Sequence, residues 1–274
     1  EEIVQDYLRL SDEAVNSGAG LIVWPETAVS DIFTDRPDIK EIIEHWVREN
    51  RIALLFGTIT EVTPGMENSE LYNSAFLVDI PEEGIARWRR YDKIHLVPYG
   101  EFIPFRKFFP FLERVVEAAG GGQYRPGAEC PVFDLQSIRI GTLICFESTL
   151  SSLAREYAVQ GVDLLVVITY DTWFRQSTAP YQHAIQSAFR ALETGAPVVR
   201  GTNTGFTCAF DSRGRMIASL PIYEEGVLMV DVPTGQRPTG YTRWGERPVQ
   251  ALLVVLLGYG VGSAWMQRRK YKRN

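Results

Sequence analysis

Cysteine and histidine are scarce in this chain of 274 residues, with three of each. Cys130, Cys145 and Cys208 form an odd set with no close pair, which excludes a disulfide framework and a CxxC metal or redox site. No glycine-rich phosphate loop and no metal-ligand cluster stands out, so neither a cofactor nor a metal is expected. Basic residues are not in excess: 28 Lys and Arg against 34 Asp and Glu leave a formal charge of −6, which argues against nucleic acid as a partner. No short period recurs, and 45% apolar with 23% charged residues is an ordinary globular balance; coiled coil, collagen-like repeat and disorder are excluded. The chain opens on Glu1 without a methionine or a basic-then-apolar leader, and it reads as a fragment whose signal peptide is absent or removed.

Charge is unevenly placed. Arg268, Arg269, Lys270, Lys272 and Arg273 crowd the last seven positions, and without these five the remainder carries −11. Before them, residues 249–266 (VQALLVVLLGYGVGSAWM) hold 18 positions without a charge. A membrane helix needs about 17–25 such residues. A buried core helix is the bland alternative, against which stand the missing polar face and the abrupt basic flank. The expected division is a body over 1–245 and a membrane helix with a basic cytoplasmic tail over 246–274. Trp265 fits an interfacial anchor, and Gly258 with Gly262 makes a weak GxxxG.

The body alternates short apolar runs with amphipathic patterns, the mark of an α/β layer fold. Buried strands are expected at 21–24, 53–59, 138–144, 164–168 and 197–201, with hairpins formed by 73–79 with 85–91 and by 206–210 with 216–220. Both strand orders occur, so a mixed sheet is expected. Helix faces are expected from Ile39, Ile42, Ile43, Trp46 and Val47, from Leu150, Leu153, Ala154, Tyr157 and Ala158, and from Tyr181, Ile185, Ala188, Phe189 and Leu192. Gly161 and Gly195 stand where helix C-caps belong. The run 102–111 (FIPFRKFFPF) fits neither period and reads as an aromatic-rich loop.

Chemistry in such folds gathers where strands end. Glu26 follows Trp24-Pro25 at one strand end, Lys93 follows the first hairpin, and Cys145 ends a strand just before a helix that Ser148 could cap. A thiol at a helix N-terminus is biased toward thiolate; equally, Cys145 could be a small buried hydrophobe. Cys208 alternates with Phe206 and Phe210 as core, and Cys130 lies in a loop without an activator. A cysteine nucleophile needs a base. Among histidines, His45 lies off its helix's apolar stripe, His183 could brace its helix, and His95 could serve, which keeps a cysteine–histidine pair open. The other set uses Glu26 as base and Lys93 as an oxyanion cation, although Glu26 could be a helix-start carboxylate and Lys93 a surface charge.

The strings WPETA (24–28), YDKIHLVPYGEFIPF (91–105), GTLICFES (141–148), TWFRQSTAPYQH (172–183) and RALETGAPVVRGTNTG (190–205) resemble the nitrilase, or carbon–nitrogen hydrolase, superfamily, and within it the apolipoprotein N-acyltransferase family. The resemblance covers nearly the whole chain. It implies a four-layer αββα nitrilase-like sandwich followed by one C-terminal transmembrane helix, facing the periplasm from a bacterial inner membrane. It implies that Glu26, Lys93 and Cys145 are a catalytic triad supported by Glu101 and Glu147. It further implies a phospholipid acyl donor, a diacylglyceryl-modified apolipoprotein acceptor and a thioester intermediate. Phe146 departs from the tyrosine usual there, and Tyr170-Asp171-Thr172 replaces an asparagine-containing segment, so substrate contacts at those places do not transfer. Amide hydrolysis by a membrane-tethered relative is the alternative, and a catalytically dead receptor or scaffold a third reading.

Overall fold

The computed structural model describes residues 2–66, 69–81, 84–104 and 124–271, the side chains of 264 and 266–271 excepted. Helix α1 (Glu2–Asn16) leads into strands β1 (Leu21–Val23) and β2 (Val29–Ile32), then α2 (Pro37–Asn50), β3 (Ala53–Glu61), β4 (Leu71–Asp79) and β5 (Arg87–Asp92). The second half runs β6 (Phe133–Leu135), β7 (Ile138–Ile144), α3 (Ser151–Val159), β8 (Leu164–Thr169), α4 (Ala179–Thr194), β9 (Val198–Thr202), β10 (Cys208–Phe210) and β11 (Met216–Ser219). Two helices follow, α5 (Gly240–Trp244) and α6 (Arg247–Tyr271).

Two mixed sheets result. The first has the order β1-β3-β4-β5 with β2 also on β3, and the second runs β11-β10-β9-β8-β7-β6. Side-chain alternation along the strands assigns each residue to a layer. On β3, Leu54 and Phe56 pack outward under α1 and α2 with Val4, Leu8, Ile39 and Ile43. Their neighbours Ala53 and Leu55 face the other way, into a core shared with Ile140, Ile144, Val166 and Ile168 of the second sheet. Leu143, Leu165 and Val167 point outward again, beneath α3 and α4. Three cores separate four layers, helix, sheet, sheet, helix, as the family resemblance implied. β1, β3 and β5 run the same way, as do β7, β8 and β9, and Glu26, Lys93 and Cys145 follow the C-terminal ends of β1, β5 and β7.

The expected strands and hairpins form, but two local readings change. The α4 stripe of Tyr181, Ile185, Phe189 and Leu192 does not face the core; these side chains are 44–51% exposed, and only Ala188 of the expected set is buried. The inward face is made of Ala184, Ala188 and Ala191, which let the helix lie close to the sheet, and of His183, Ser187, Arg190 and Thr194. Nor does Ser148 cap a helix. Cys145–Thr149 is a 3-10 turn, α3 starts at Ser151, and the Ser148 hydroxyl donates instead to the Cys145 carbonyl at 2.8 Å.

Residues 105–123, most of the aromatic run expected as a loop, lie outside the described residues; of its start, Ile103 is buried. Helix α6 extends over the apolar stretch with Leu252, Leu253, Val254, Leu256 and Leu257 exposed. Among the described residues no helix is long and apolar enough to cross a membrane, and the end of the expected span, at residue 264 and from 266 on, lies outside the described side chains.

Candidate active site

Glu26 sits in the turn that ends β1. Gly57 on β3 passes so close that a Cβ there would lie 2.5 Å from the Glu26 Cα, which is why that position carries no side chain. The carboxylate is buried. Its Oε1 accepts from Asn73 Nδ2 at 2.7 Å and stands 3.5 Å from Lys93 Nζ, while Oε2 accepts from the Tyr170 backbone N–H at 2.7 Å. A helix-start carboxylate at the surface is thereby excluded.

Lys93 is no surface charge either: its side chain is 1% exposed. Its Nζ donates to Glu101 Oε1 at 2.8 Å, and its backbone is tied on both sides, by Lys93 N–H to Asn73 O and by Gly127 N–H to Lys93 O. Burial works to lower the ammonium's pKa, but Glu26, Cys145 and Glu101 outweigh it and hold the pKa above the ordinary lysine range. Glu101 uses Oε1 for both Lys93 and Asn73 and Oε2 for the Val97 backbone N–H. Asn73 thus bridges two carboxylates that share one ammonium.

Cys145 is partly accessible and stands at φ +53, in the left-handed region. Burial, then the Glu26 charge, push its thiol up to about 12, against Lys93 and a hydrogen bond with Thr169. The expected bias toward thiolate is corrected here: a short 3-10 turn replaces the helix N-terminus, and desolvation dominates. The resting sulfur therefore keeps its proton, with a carboxylate and an ammonium at hand.

Glu147 joins the two halves. Oε1 accepts from the Tyr91 hydroxyl and from the backbone N–H groups of Ile94 and His95, and Oε2 accepts from Ile144 N–H, all within 2.7–3.0 Å. Burial lifts its carboxyl above the ordinary range although those donors favour the charged form. One side chain thus fixes the Lys93 segment to the strand that delivers Cys145. Phe146 is half-buried on the same turn.

The histidines do not form the rival pair. His95 is exposed and contributes its backbone N–H to Glu147, His45 pairs with Glu49 on the surface of α2, and His183 meets the Cys145 carbonyl oxygen rather than the sulfur. Cys208 is core as expected. Asn73 is not among the residues the sequence singles out; it stands at the first position of the expected strand 73–79, beside Ser74, with no signal beyond its polarity. Among the described residues no group of His, Cys, Asp and Glu could hold a metal ion. A cavity of about 710 Å³ lies elsewhere, along the seam of β1, β9 and residues 226–234, and none of the three residues lines it.

A buried carboxylate, a buried ammonium and an accessible cysteine at strand ends of a double-sheet sandwich are the arrangement of a thiol-dependent carbon–nitrogen hydrolase fold. A family model described as Carbon-nitrogen hydrolase matches residues 1–238, and the chain belongs to that family. Its curated relatives include the apolipoprotein N-acyltransferases of Geobacter metallireducens, 41% identical over 98% of this chain and 50% of that protein, and of Vibrio cholerae, 31% identical over 97% and 52%. The chain spans about half the length of these relatives. Among solved structures it is similar to an amidase of the nitrilase superfamily from Nesterenkonia AN1, with a TM-score of 0.61, 18% identity and 91% of each chain covered.

Proposed function

We propose that this chain is the catalytic portion of an apolipoprotein N-acyltransferase, which moves an acyl chain from a phospholipid to the N-terminal diacylglyceryl-cysteine of an apolipoprotein. The observation that carries the reading is the Lys93 ammonium held between Glu26 and Glu101 beside the Cys145 thiol. Glu26 takes the thiol proton as Sγ attacks the sn-1 ester carbonyl, and the carbonyl electron pair moves to an oxygen held by Lys93 Nζ and the Phe146 N–H. Collapse breaks the bond to the glycerol oxygen. Glu26 returns the proton to that oxygen, lysophospholipid leaves and a thioester remains on Cys145. The acceptor's α-amine then attacks the thioester carbon and loses a proton to Glu26; sulfur departs as thiolate and is reprotonated. Glu101 keeps Lys93 charged and in place.

Both substrates are lipid-anchored, which suits a body carried on a membrane helix. Support for that anchor is the uncharged run 249–266 ahead of five basic residues, and an α6 with apolar side chains exposed all round, a pattern suited to lipid rather than water. In this reading 1–245 is the catalytic domain on the periplasmic side, and 246–274 is the anchor with its tail in the cytoplasm of a bacterium. The aromatic run 102–111 would shelter acyl chains.

The test is mass spectrometry of a diacylglyceryl lipopeptide incubated with phospholipid and the full protein. One added acyl mass, lost in Cys145→Ala, is expected. Ammonia released from small amides without acyl transfer would overturn the reading in favour of a tethered amidase. Absence of any adduct on Cys145 would favour an inactive scaffold.

A further inference from the structure

Three buried side chains of the second sheet's outer layer take no part in that chemistry, yet they meet behind the Cys145 turn. Arg200 of β9 is sealed from solvent; its Nη2 donates to Asp171 Oδ2 at 2.8 Å and lies 2.8 Å from His183 Nδ1. Asp171 Oδ1 accepts from Thr169 Oγ1 at 3.0 Å and stands 3.1 Å from the same ring nitrogen. At the far side of the ring, Nε2 is 3.1 Å from the Cys145 carbonyl oxygen and 3.0 Å from Ser148 Oγ. A guanidinium is permanently protonated and offers no lone pair. Of the two groups at Nδ1, Arg200 Nη2 at 2.8 Å is nearer than Asp171 Oδ1 at 3.1 Å, and a lone pair facing the guanidinium puts a ring proton on Nε2, aimed at the Cys145 carbonyl. Among the described residues Arg200 Nε and Nη1 are buried without partners, a cost that a position serving only the core has no reason to carry.

With Ser148 Oγ, two donors grip one carbonyl. A trans peptide holds its C=O and N–H on opposite sides, so fixing the Cys145 oxygen aims the Phe146 N–H the other way. That N–H belongs to the first turn of the 3-10 segment, where leading N–H groups have no partner within the helix. Hydrogen bonds onto a carbonyl also strengthen the N–H of the same peptide as a donor. Cys145 at φ +53 occupies a backbone region that a residue with a side chain keeps only when its neighbours hold it. We propose that His183, itself held by Asp171 and Arg200, is a positioning residue for the oxyanion site, aiming and polarising the Phe146 N–H through the Cys145–Phe146 peptide. The inference rests on the reading of Cys145 as the residue that is acylated.

The test compares two reactions of the same sulfur in the full chain. Acylation of Cys145 by a p-nitrophenyl ester passes through an oxyanion, whereas alkylation by iodoacetamide does not. A glutamine amide nitrogen takes the place of Nε2 and an asparagine amide nitrogen that of Nδ1, so both variants stay polar but only the first reaches the carbonyl. His183→Gln should acylate within about tenfold of wild type, His183→Asn about 100-fold more slowly, and both should alkylate within about threefold of wild type. Equal acylation by the two variants would overturn the proposal. So would alkylation that falls in step with acylation, because His183 would then only keep the turn folded. A wild-type chain that takes no acyl mass on Cys145 would overturn the site reading and this inference with it, whereas acylation of His183→Asn at the wild-type rate would overturn this inference alone.

Discussion

Each sheet carries a buried charged cluster to the same edge of the sandwich, and the two clusters differ in what they touch. On the first sheet, Lys93 stands between Glu26 and Glu101, with Asn73 donating to both carboxylates. Two acids against one ammonium leave a site able to take up a proton. On the second sheet, Arg200 is matched by a single carboxylate, Asp171, and the His183 imidazole. Burial pushes the Asp171 carboxyl up, but His183 and Arg200 outweigh it and hold it below the ordinary range. That cluster touches Cys145 only at its backbone oxygen. One cluster is arranged for proton traffic and the other for geometry, with Glu147 as the tie between the sheets.

The sharpest break in this comparison is Lys93→Met. Removing the ammonium leaves the buried Glu26 carboxylate and the half-buried Glu101 carboxylate facing each other, and losing one partner of a buried ion pair costs about 3–5 kcal/mol. Acylation of Cys145 should fall by roughly 1,000-fold or more if Lys93 is the oxyanion cation proposed above. A fall in acylation without a matching drop in the denaturation midpoint would mean that the carboxylates find another partner. The sign with pH follows from the raised pKa: the stabilisation from Lys93 is full below the ordinary lysine range and is lost only as pH climbs through its higher folded value.

A smaller effect concerns the sulfur. With the Cys145 thiol pushed up to about 12, the rate of iodoacetamide alkylation at this residue should still be rising between about pH 8 and 10, where an ordinary thiol is levelling off. Peptide mapping of the alkylated chain gives that profile residue by residue. A plateau near pH 8 would mean that Lys93 outweighs burial and that the resting sulfur is already thiolate.

How much of this is legible in the sequence depends on where the partner lies. Glu26 and Cys145 stand out because each follows an apolar run that stops abruptly, and Lys93 because it closes a hairpin; strand ends are where an α/β sandwich opens to substrate. Asn73 does not, because one polar residue inside a strand looks like a solvent-facing position, and its two carboxylate partners arrive from other loops. His183 reads locally as a helix brace; the residues that give it a direction lie 12 and 17 positions away and 38 positions back at Cys145. The α4 helix misleads for a different reason. Large apolar side chains at helical spacing are normally the inward stripe, but here alanines and a buried polar set occupy the inward face.

That inversion supplies the mildest prediction. Ile185 is 51% exposed, so Ile185→Lys should change the unfolding free energy by no more than about 0.5 kcal/mol, lysine being the better helix former. Ala184, one residue earlier and 1% exposed, lies in the same core as Leu143 and Val167 of the second sheet; Ala184→Lys would bury an unpaired ammonium and should cost about 3 kcal/mol or more. Urea titration of the two variants separates the faces. Comparable losses at both positions would mean that the outer stripe of α4 is covered in the intact protein, whereas the expected contrast leaves it as open surface and places the helix's whole packing contribution on its alanines.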